Sequence, residues 1–445
     1  MPKIYNKFLK GYALKNPIKF SLLLVFFLIP FATTAQDTIT FYPGQSTLIS
    51  SVSNDFTYQD RNIIINKLPL GINPNSIQIF SPKINNWLYS YDLENNQAFF
   101  NKISGKTIEL NNKGKKVKMK FIKKQENSLY FQKDNTLHIN PEGEITIPSS
   151  QKLTIEPAIV LNTPITDADS ISYSYFVTSL KSSIQYQAEF DRKNKKLSLT
   201  PFLHINNKSG VSFNNAKINM ISGSPKFQEN RQKNSLLRSA SIAPETQIEK
   251  KDEYYKYQLS QKYSLKNNCL TALPLFPALE LKTTLKYCYE APPVYKSDKK
   301  TSADKIDLVL TFTNNSGLPL PAGETYLFHK GDFIGSDYLE STPKGEKRSL
   351  RYGKAFSLKA KKMLIDTKRI HDNKVQQESY KIYLTNLKST EVNIEVIDFI
   401  PGRNWEITKS SFAYNKISNN KVKFVVKVPP SKTEELKYTV ERKRR

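Results

Sequence analysis

The sequence predicts a mainly β protein: tandem antiparallel β-sandwich domains with a small β-barrel-like insert. Three observations carry that prediction. Apolar and polar residues alternate with period two in short runs along most of the chain, as half-buried strands require. Turn chemistry separates the runs, at Asn-Asn-Lys-Gly (111–114), Asp-Arg-Lys-Asn (191–194), Lys-Gly (330–331) and Pro-Gly (401–402). Tyr and Phe, which suit a pleated surface, number 24 and 25, and no convincing long amphipathic helix interrupts the pattern.

Residues 1–35 read as a signal peptide. Lys3, Lys7, Lys10, Lys15 and Lys19 precede an apolar run from Phe20 to Phe31 that contains Pro30, and Ala32-Thr-Thr-Ala35 supplies small residues for cleavage before Gln36. The run is shorter than the ~20 residues of a membrane-spanning helix. An uncleaved anchor is the other reading. Gln36 at the cut, rather than Cys, gives no indication of a lipoprotein anchor. A periplasmic or secreted location is expected, with no transmembrane segment after signal cleavage.

Residues 36–99 form an N-terminal β unit, opening with the alternation of Ile39 and Phe41 against Thr38 and Thr40. Residues 100–150 form the barrel-like insert of five short strands, in which Val117, Met119 and Phe121 alternate with lysines. Residues 151–295 form a sandwich, with Ile184, Tyr186, Ala188 and Phe190 on one face and Leu197, Leu199, Leu203 and Ile205 on another. Within it, the polar, Ser-rich stretch 226–253 lacks periodicity and reads as a linker or mobile loop. Residues 296–445 form the C-terminal sandwich, patterned by Val392, Ile394 and Val396, by Val422, Phe424, Val426 and Val428, and by Leu436, Tyr438 and Val440. Residues 359–368 read as a short helix or a strand. A weak internal repeat links Leu203-His-Ile-Asn-Asn-Lys-Ser-Gly210 to Leu310-Thr-Phe-Thr-Asn-Asn-Ser-Gly317.

The formal net charge is +27, and removing the five signal lysines leaves +22. Such an excess fits an anionic polymer or membrane surface, or a compositional bias spread along a Lys- and Asn-rich chain. The densest basic feature is Lys115, Lys116, Lys118, Lys120, Lys123 and Lys124. On a strand, Lys116, Lys118 and Lys120 line one face about 6–7 Å apart, a stripe that can hold a polyanion. A solvent face, or an edge strand guarded by lysines, is the plainer reading. Cys269 and Cys288 are the only cysteines; a disulfide joined through a hairpin is expected, worth ~3 kcal/mol by loop closure, with two free thiols as the alternative.

His138, His204, His329 and His371 are scattered, and no catalytic, dinucleotide, phosphate-loop or metal-ligand motif is found. Asp167-Ala-Asp169 lacks the further oxygens of a calcium loop. Asn207-Lys-Ser209 and Asn314-Asn-Ser316 match the glycosylation sequon. No cofactor is expected, and export with no base-reading motif argues against nucleic acid.

Several blocks together resemble the uncharacterised domain family that forms the C-terminal part of mucoidy-inhibitor-like bacterial envelope proteins. They are Ile39-Thr-Phe-Tyr-Pro-Gly-Gln-Ser-Thr-Leu48, Leu68-Pro-Leu-Gly-Ile-Asn-Pro-Asn-Ser-Ile77 and Ile205-Asn-Asn-Lys-Ser-Gly210 with Ala216-Lys-Ile-Asn-Met-Ile-Ser-Gly223. Leu310-Thr-Phe-Thr-Asn-Asn-Ser-Gly-Leu-Pro-Leu-Pro-Ala-Gly323 with Gly331-Asp-Phe-Ile-Gly-Ser336, and Ile382-Tyr-Leu-Thr-Asn-Leu387 with Val396-Ile-Asp-Phe-Ile-Pro-Gly402, complete the set. The resemblance implies β-sandwiches outside the cytoplasmic membrane and supplies no catalytic residues. The long coiled coil of many relatives is missing here.

The expected role is an exported, non-enzymatic envelope protein that binds another envelope protein or an anionic polysaccharide or lipopolysaccharide. The alternatives are an exported hydrolase of glycan or peptidoglycan, which needs a cleft with paired carboxylates, and a secreted adhesin or host-directed factor.

Overall fold

Alternation along the chain becomes sheet almost everywhere. The structure, a computed structural model, describes residues 36–80, 83–147, 153–165, 168–223, 247–251, 254–294, 304–370, 375–402 and 404–443. The stretches expected to be a signal peptide (1–35) and most of a linker (226–253) lie outside the described residues. Within that linker, Gln247–Lys251 is a strand paired with Tyr254–Leu265. Among the described residues the strands fall into sheets of seven, five, four and fourteen members, and none closes into a barrel. The one α-helix among them, Asn96–Ile103, is short.

The apolar phase of each strand points inward as the period predicts. Ile39, Phe41 and Ile49 of the first hairpin are fully buried, as are Leu197, Leu199, Leu203 and Ile205. One core joins the seven-stranded sheet, the four-stranded sheet and the first half of the long sheet, running in sequence from Ile39 to Tyr352. It therefore crosses the positions 99 and 295 at which units were expected to divide. A second core lies inside the C-terminal sandwich, between Tyr289 and Val440. Residues 359–368 fall within one long strand, Lys347–Ile370, and are not helical.

A four-strand unit occurs three times. Its first strand is Lys196–Asn207, Asp304–Thr313 or Val375–Asn386. Its second is Phe213–Ser222, Gly323–His329 or Val392–Phe399, which pairs antiparallel with a third, Tyr254–Leu265, Asp332–Leu339 or Lys421–Val428. The fourth, Cys269–Pro274, Lys347–Ile370 or Thr433–Lys443, returns beside the first. The weak repeat of the sequence is thus real as structure, and it has a third copy. In each copy the second strand also pairs in parallel with an earlier strand: Gln36–Phe41, Leu180–Asp191 or Leu279–Ala291. The units are chained, because each one completes a sheet begun by chain that precedes it.

A buried asparagine turns each first strand into its second. The Nδ2 of Asn207 donates to the carbonyls of Val211 (2.9 Å) and Leu265 (3.0 Å). That of Asn314 donates to Leu318 (2.8 Å), Thr342 (3.0 Å) and Pro343 (3.2 Å). That of Asn386 donates to Thr390 (2.8 Å), Val428 (3.1 Å) and Pro429 (3.1 Å). The Oδ1 atoms accept the backbone N–H two residues on, at Ser209, Ser316 and Lys388. Each amide thereby closes its own corner and ties it to the end of the third strand, satisfying backbone groups that burial would otherwise leave unpaired.

The segment expected to be barrel-like is an open five-stranded sheet, ordered Thr136–Ile139, Ser128–Lys133, Lys115–Gln125, Thr107–Asn112, Glu144–Thr146. Instead of closing on itself it buries one face under the Asn96–Ile103 helix and neighbouring chain, with Ile103, Ile108, Leu110, Phe121 and Phe131 as a separate core. Asn95 caps the helix by accepting the Ala98 N–H at 2.8 Å. The sheet is set into a hairpin. The flanking strands Asn86–Ser90 and Ala158–Asn162 pair directly, with Ser90 opposite Ala158, and Asp92 and Thr154 exchange two hydrogen bonds just beyond.

A lysine face on the inserted sheet as candidate functional site

The lysine stripe starts from a tight turn. Lys113 and Gly114 adopt positive φ (49° and 87°), and Asn111 Oδ1 accepts the Gly114 N–H at 3.1 Å. The strand Lys115–Gln125 that follows is the middle of the five, paired on both sides. The lysines therefore do not guard an edge. Met119 and Phe121 point to the core, where Phe121 meets Phe131 edge-on at 5.3 Å. Lys116, Lys118 and Lys120 point to the opposite face and are exposed.

A register shift between Phe121 and Lys123 then reverses the alternation. Strict period two would send Lys123 inward with Phe121. The bulge instead places it opposite Tyr130, its Nζ 5.4 Å from the ring. Lys124 moves to the inner side, 5.0 Å from the Phe100 ring of the helix. Lys115, opposite Asn112 beside the turn, belongs to the inner side of the strand and is exposed at its start. Of the six lysines, Lys116, Lys118, Lys120 and Lys123 form the outer face.

The neighbours of that face follow from register. Glu109 lies opposite Lys118 and pairs with Lys116 at 2.9 Å, an exposed ion pair worth ~0–1 kcal/mol. Among the described residues no side-chain hydrogen bond or ion pair engages Lys118 or Lys120. On the other flank, Gln132 stands opposite both Lys120 and Leu137, and Tyr130 opposite both Lys123 and Ile139. Leu137 and Ile139 are 57% and 58% exposed, on an edge strand. The face thus grades from acids at Glu109 and Glu144, through a lysine row, to an aromatic and aliphatic margin. The whole segment between Asn101 and Ile147 holds ten lysines and five acids.

Cys269 and Cys288 are free, which corrects the expected disulfide. Their strands do not form a hairpin. Both run antiparallel to Lys196–Asn207, one after the other: Cys269 faces Asn207, whereas the next strand pairs from Leu199 to Lys196 and continues to Cys288. The cysteines are separated by on the order of 50 Å of strand, far beyond disulfide reach. Cys269 is exposed and Cys288 buried. Burial pushes the Cys288 thiol up to about 11, reinforced by Glu290, Glu395 and Asp307.

A cleft of about 900 Å³ lies beside the second copy of the repeat, with His204, Glu324 and Asp337 in its lining. Its carboxylates do not form a facing pair. Register puts Glu324 opposite Tyr338 and Asp337 opposite Thr325, so the two acids project to opposite sides of one hairpin. Asp337 spends both oxygens on main-chain N–H groups, of Arg351 (2.6 Å) and Tyr338 (2.9 Å). Burial lowers the His204 pKa and favours neutral imidazole. His204 faces Ser183, and His329 Nδ1 reaches the Phe190 carbonyl at 3.2 Å. Seven residues of strand, ~23 Å, keep the two histidines apart. His371 and Asp167 lie outside the described residues, and among those described no cluster of metal-ligating side chains occurs.

Two features were missed in the sequence. The hydrophobic margin of the lysine face, Leu137 and Ile139, depends on register across three strands and on the bulge, which no local residue announces. Lys362 and Asp398 each occupy an apolar phase of their strand and are buried together; a charged residue in the inward phase is the readable sign.

Fold and site together define a class: a chained β-sandwich protein with a basic sheet set into one hairpin. Within that class, the family model described as Domain of unknown function (DUF4139) matches residues 171–444. That is more than half of the chain, and the chain belongs to this family. The matched region contains all three four-strand units and none of the inserted sheet. No curated protein matches the chain. No helix among the described residues is long and apolar enough to cross a membrane.

Proposed function

We propose that the chain is an exported, non-enzymatic protein of the cell envelope that holds an anionic polymer on the lysine face of its inserted sheet. The observation that carries this reading is the row Lys116, Lys118, Lys120 and Lys123, in which Lys118 and Lys120 are exposed without an acidic partner on a strand whose register fixes their spacing. Lysines rooted ~6–7 Å apart on one strand face, with stems long enough to adjust, can follow the repeating charges of an acidic polysaccharide or a lipopolysaccharide headgroup. The margin of half-buried Tyr130 and exposed Leu137 and Ile139 adds a surface for packing sugar rings or alkyl groups. Export rests on the Lys-flanked apolar run before Gln36. The resemblance to mucoidy-inhibitor-like envelope proteins supports the same compartment.

The test is retention on an immobilised acidic polysaccharide as salt is raised. Lys118→Glu/Lys120→Glu should elute at markedly lower salt than the parent, with unchanged thermal stability, because both side chains face solvent. Equal elution of the two proteins contradicts the site. Terminal sequencing of the native protein should begin at Gln36; a cytosolic chain retaining residues 1–35 contradicts export.

A further inference from the structure

Inside the C-terminal core a lysine and an aspartate meet. Lys362 shares the inward phase of Leu358 and Ala360 in Lys347–Ile370, and Asp398 that of Ile394 and Val396 in Val392–Phe399. Their side chains are 3% and 0% exposed, with Lys362 Nζ 2.7 Å from Asp398 Oδ1. The second carboxylate oxygen, Oδ2, accepts the Tyr438 hydroxyl. The Tyr380 ring lies 4.6 Å from Nζ and stacks on Tyr438 at 5.3 Å. The other buried acid nearby, Glu378, is occupied by Arg442 and the Tyr380 hydroxyl and does not compete for the lysine.

Two opposite charges here sit in an apolar, aromatic enclosure. Removing such a pair from water carries a desolvation penalty that their attraction offsets only in part. Condensation removes both charges and leaves a neutral amide in their place. The geometry points to an intramolecular isopeptide bond between Lys362 Nζ and Asp398 Cγ.

The step balances without any co-reactant. The ammonium passes one proton across the existing hydrogen bond to Oδ1, giving a neutral amine beside a carboxylic acid. The Nζ lone pair attacks Cγ, forming the N–C bond, and the charge that develops on Oδ2 is met by the Tyr438 O–H. A second proton moves from Nζ to Oδ1, the Cγ–Oδ1 bond breaks, and one water leaves. Burial holds the Asp398 carboxyl above its usual range, against the opposing pull of Lys362, which favours the protonated acid that the first transfer makes. Holding amine and carboxyl in contact supplies an effective concentration that free solutes never reach, on the order of 10⁵ M or more. Tyr438 is the positioning and charge-stabilising residue of the step. The product staples facing layers of the sandwich, closing a loop between positions 36 apart in sequence.

The experiment is mass spectrometry of the purified, denatured full chain, followed by tryptic mapping. The expected chain is lighter than its sequence by one water, and a branched peptide joins the segments around Lys362 and Asp398 with no cleavage after Lys362. Lys362→Arg keeps the cation but should restore the full mass and remove the branch. Tyr438→Phe should slow the appearance of the branch in freshly refolded protein. A parent chain at full mass, or one water lighter but yielding the two segments as separate linear peptides, overturns the proposal.

Discussion

Asn207, Asn314 and Asn386 hold three corners by one hydrogen-bond pattern. Each buried amide donates to two or three carbonyls of its corner, some of which, at Val211, Leu318 and Thr342, also accept from a serine hydroxyl or a main-chain N–H. Truncation removes these bonds at about 1–3 kcal/mol for each group left unsatisfied. Asn386→Ala should therefore lose about 2–4 kcal/mol in denaturant unfolding, whereas Asn315→Ala, at the exposed position beside Asn314, should stay within ~0.5 kcal/mol of the parent. The same burial answers the sequon match: the Asn207 and Asn314 amides are bonded inside the fold and cannot present themselves to a glycosylating enzyme once folded. The cysteines make a second residue-scale prediction. Below pH 9 the buried Cys288, with its thiol raised to about 11, should resist iodoacetamide while exposed Cys269 reacts. One label per native chain and two per denatured chain, without reductant, are expected; none in the denatured chain would restore the disulfide. At this scale the sequence showed which residue types were present but not their partners. The pair Cys269 and Cys288 looked close because only 18 residues separate them, and nothing local revealed that two successive strands share one neighbour.

At the scale of elements, period two was the most legible signal, because burial of one sheet face imposes it directly. Every inward residue named from alternation in the strands 180–191, 196–207, 392–399 and 421–428 is buried. What breaks the period was not legible. The bulge after Phe121 inserts one residue, returns Lys123 to the outer face and sends Lys124 inward; no local residue type announces it. The short helix was equally hidden, since eight residues give little periodicity, although Asn95 is a fitting cap. The parallel joins between repeat copies depend on distant strands and have no local signature. One of them has a sharp constraint. A Cβ at Gly323 would lie 2.6 Å from the Ile184 carbonyl oxygen and 2.8 Å from its Cγ2. Gly323→Ala should push Gly323–His329 away from Leu180–Asp191 and cost about 1–3 kcal/mol. Unchanged stability, measured by denaturant unfolding, would mean that this join is looser than the register implies.

Across the whole molecule, the three repeat copies and the inserted sheet have different standing. The copies are chained by parallel pairing and share long sheets, while the insert has its own core and leaves a hairpin whose strands already pair at Ser90 and Ala158. The general class, mainly β with a small basic β segment at 100–150, was readable from alternation and turns. The division into units was not, because a core that runs from Ile39 to Tyr352 is assembled from contacts remote in sequence. This architecture makes the proposed function separable from the scaffold. Replacing residues 94–152 by a two-residue turn should leave a cooperatively folded protein and remove only the lysine face. The most direct measurement is the affinity of that shortened chain and of the full chain for one acidic polysaccharide across a salt series. The account predicts tight, salt-sensitive binding by the full chain and at least tenfold weaker binding by a folded shortened chain, ~1.4 kcal/mol or more. Equal affinity of the two would contradict it and would place any anion binding elsewhere on this basic protein.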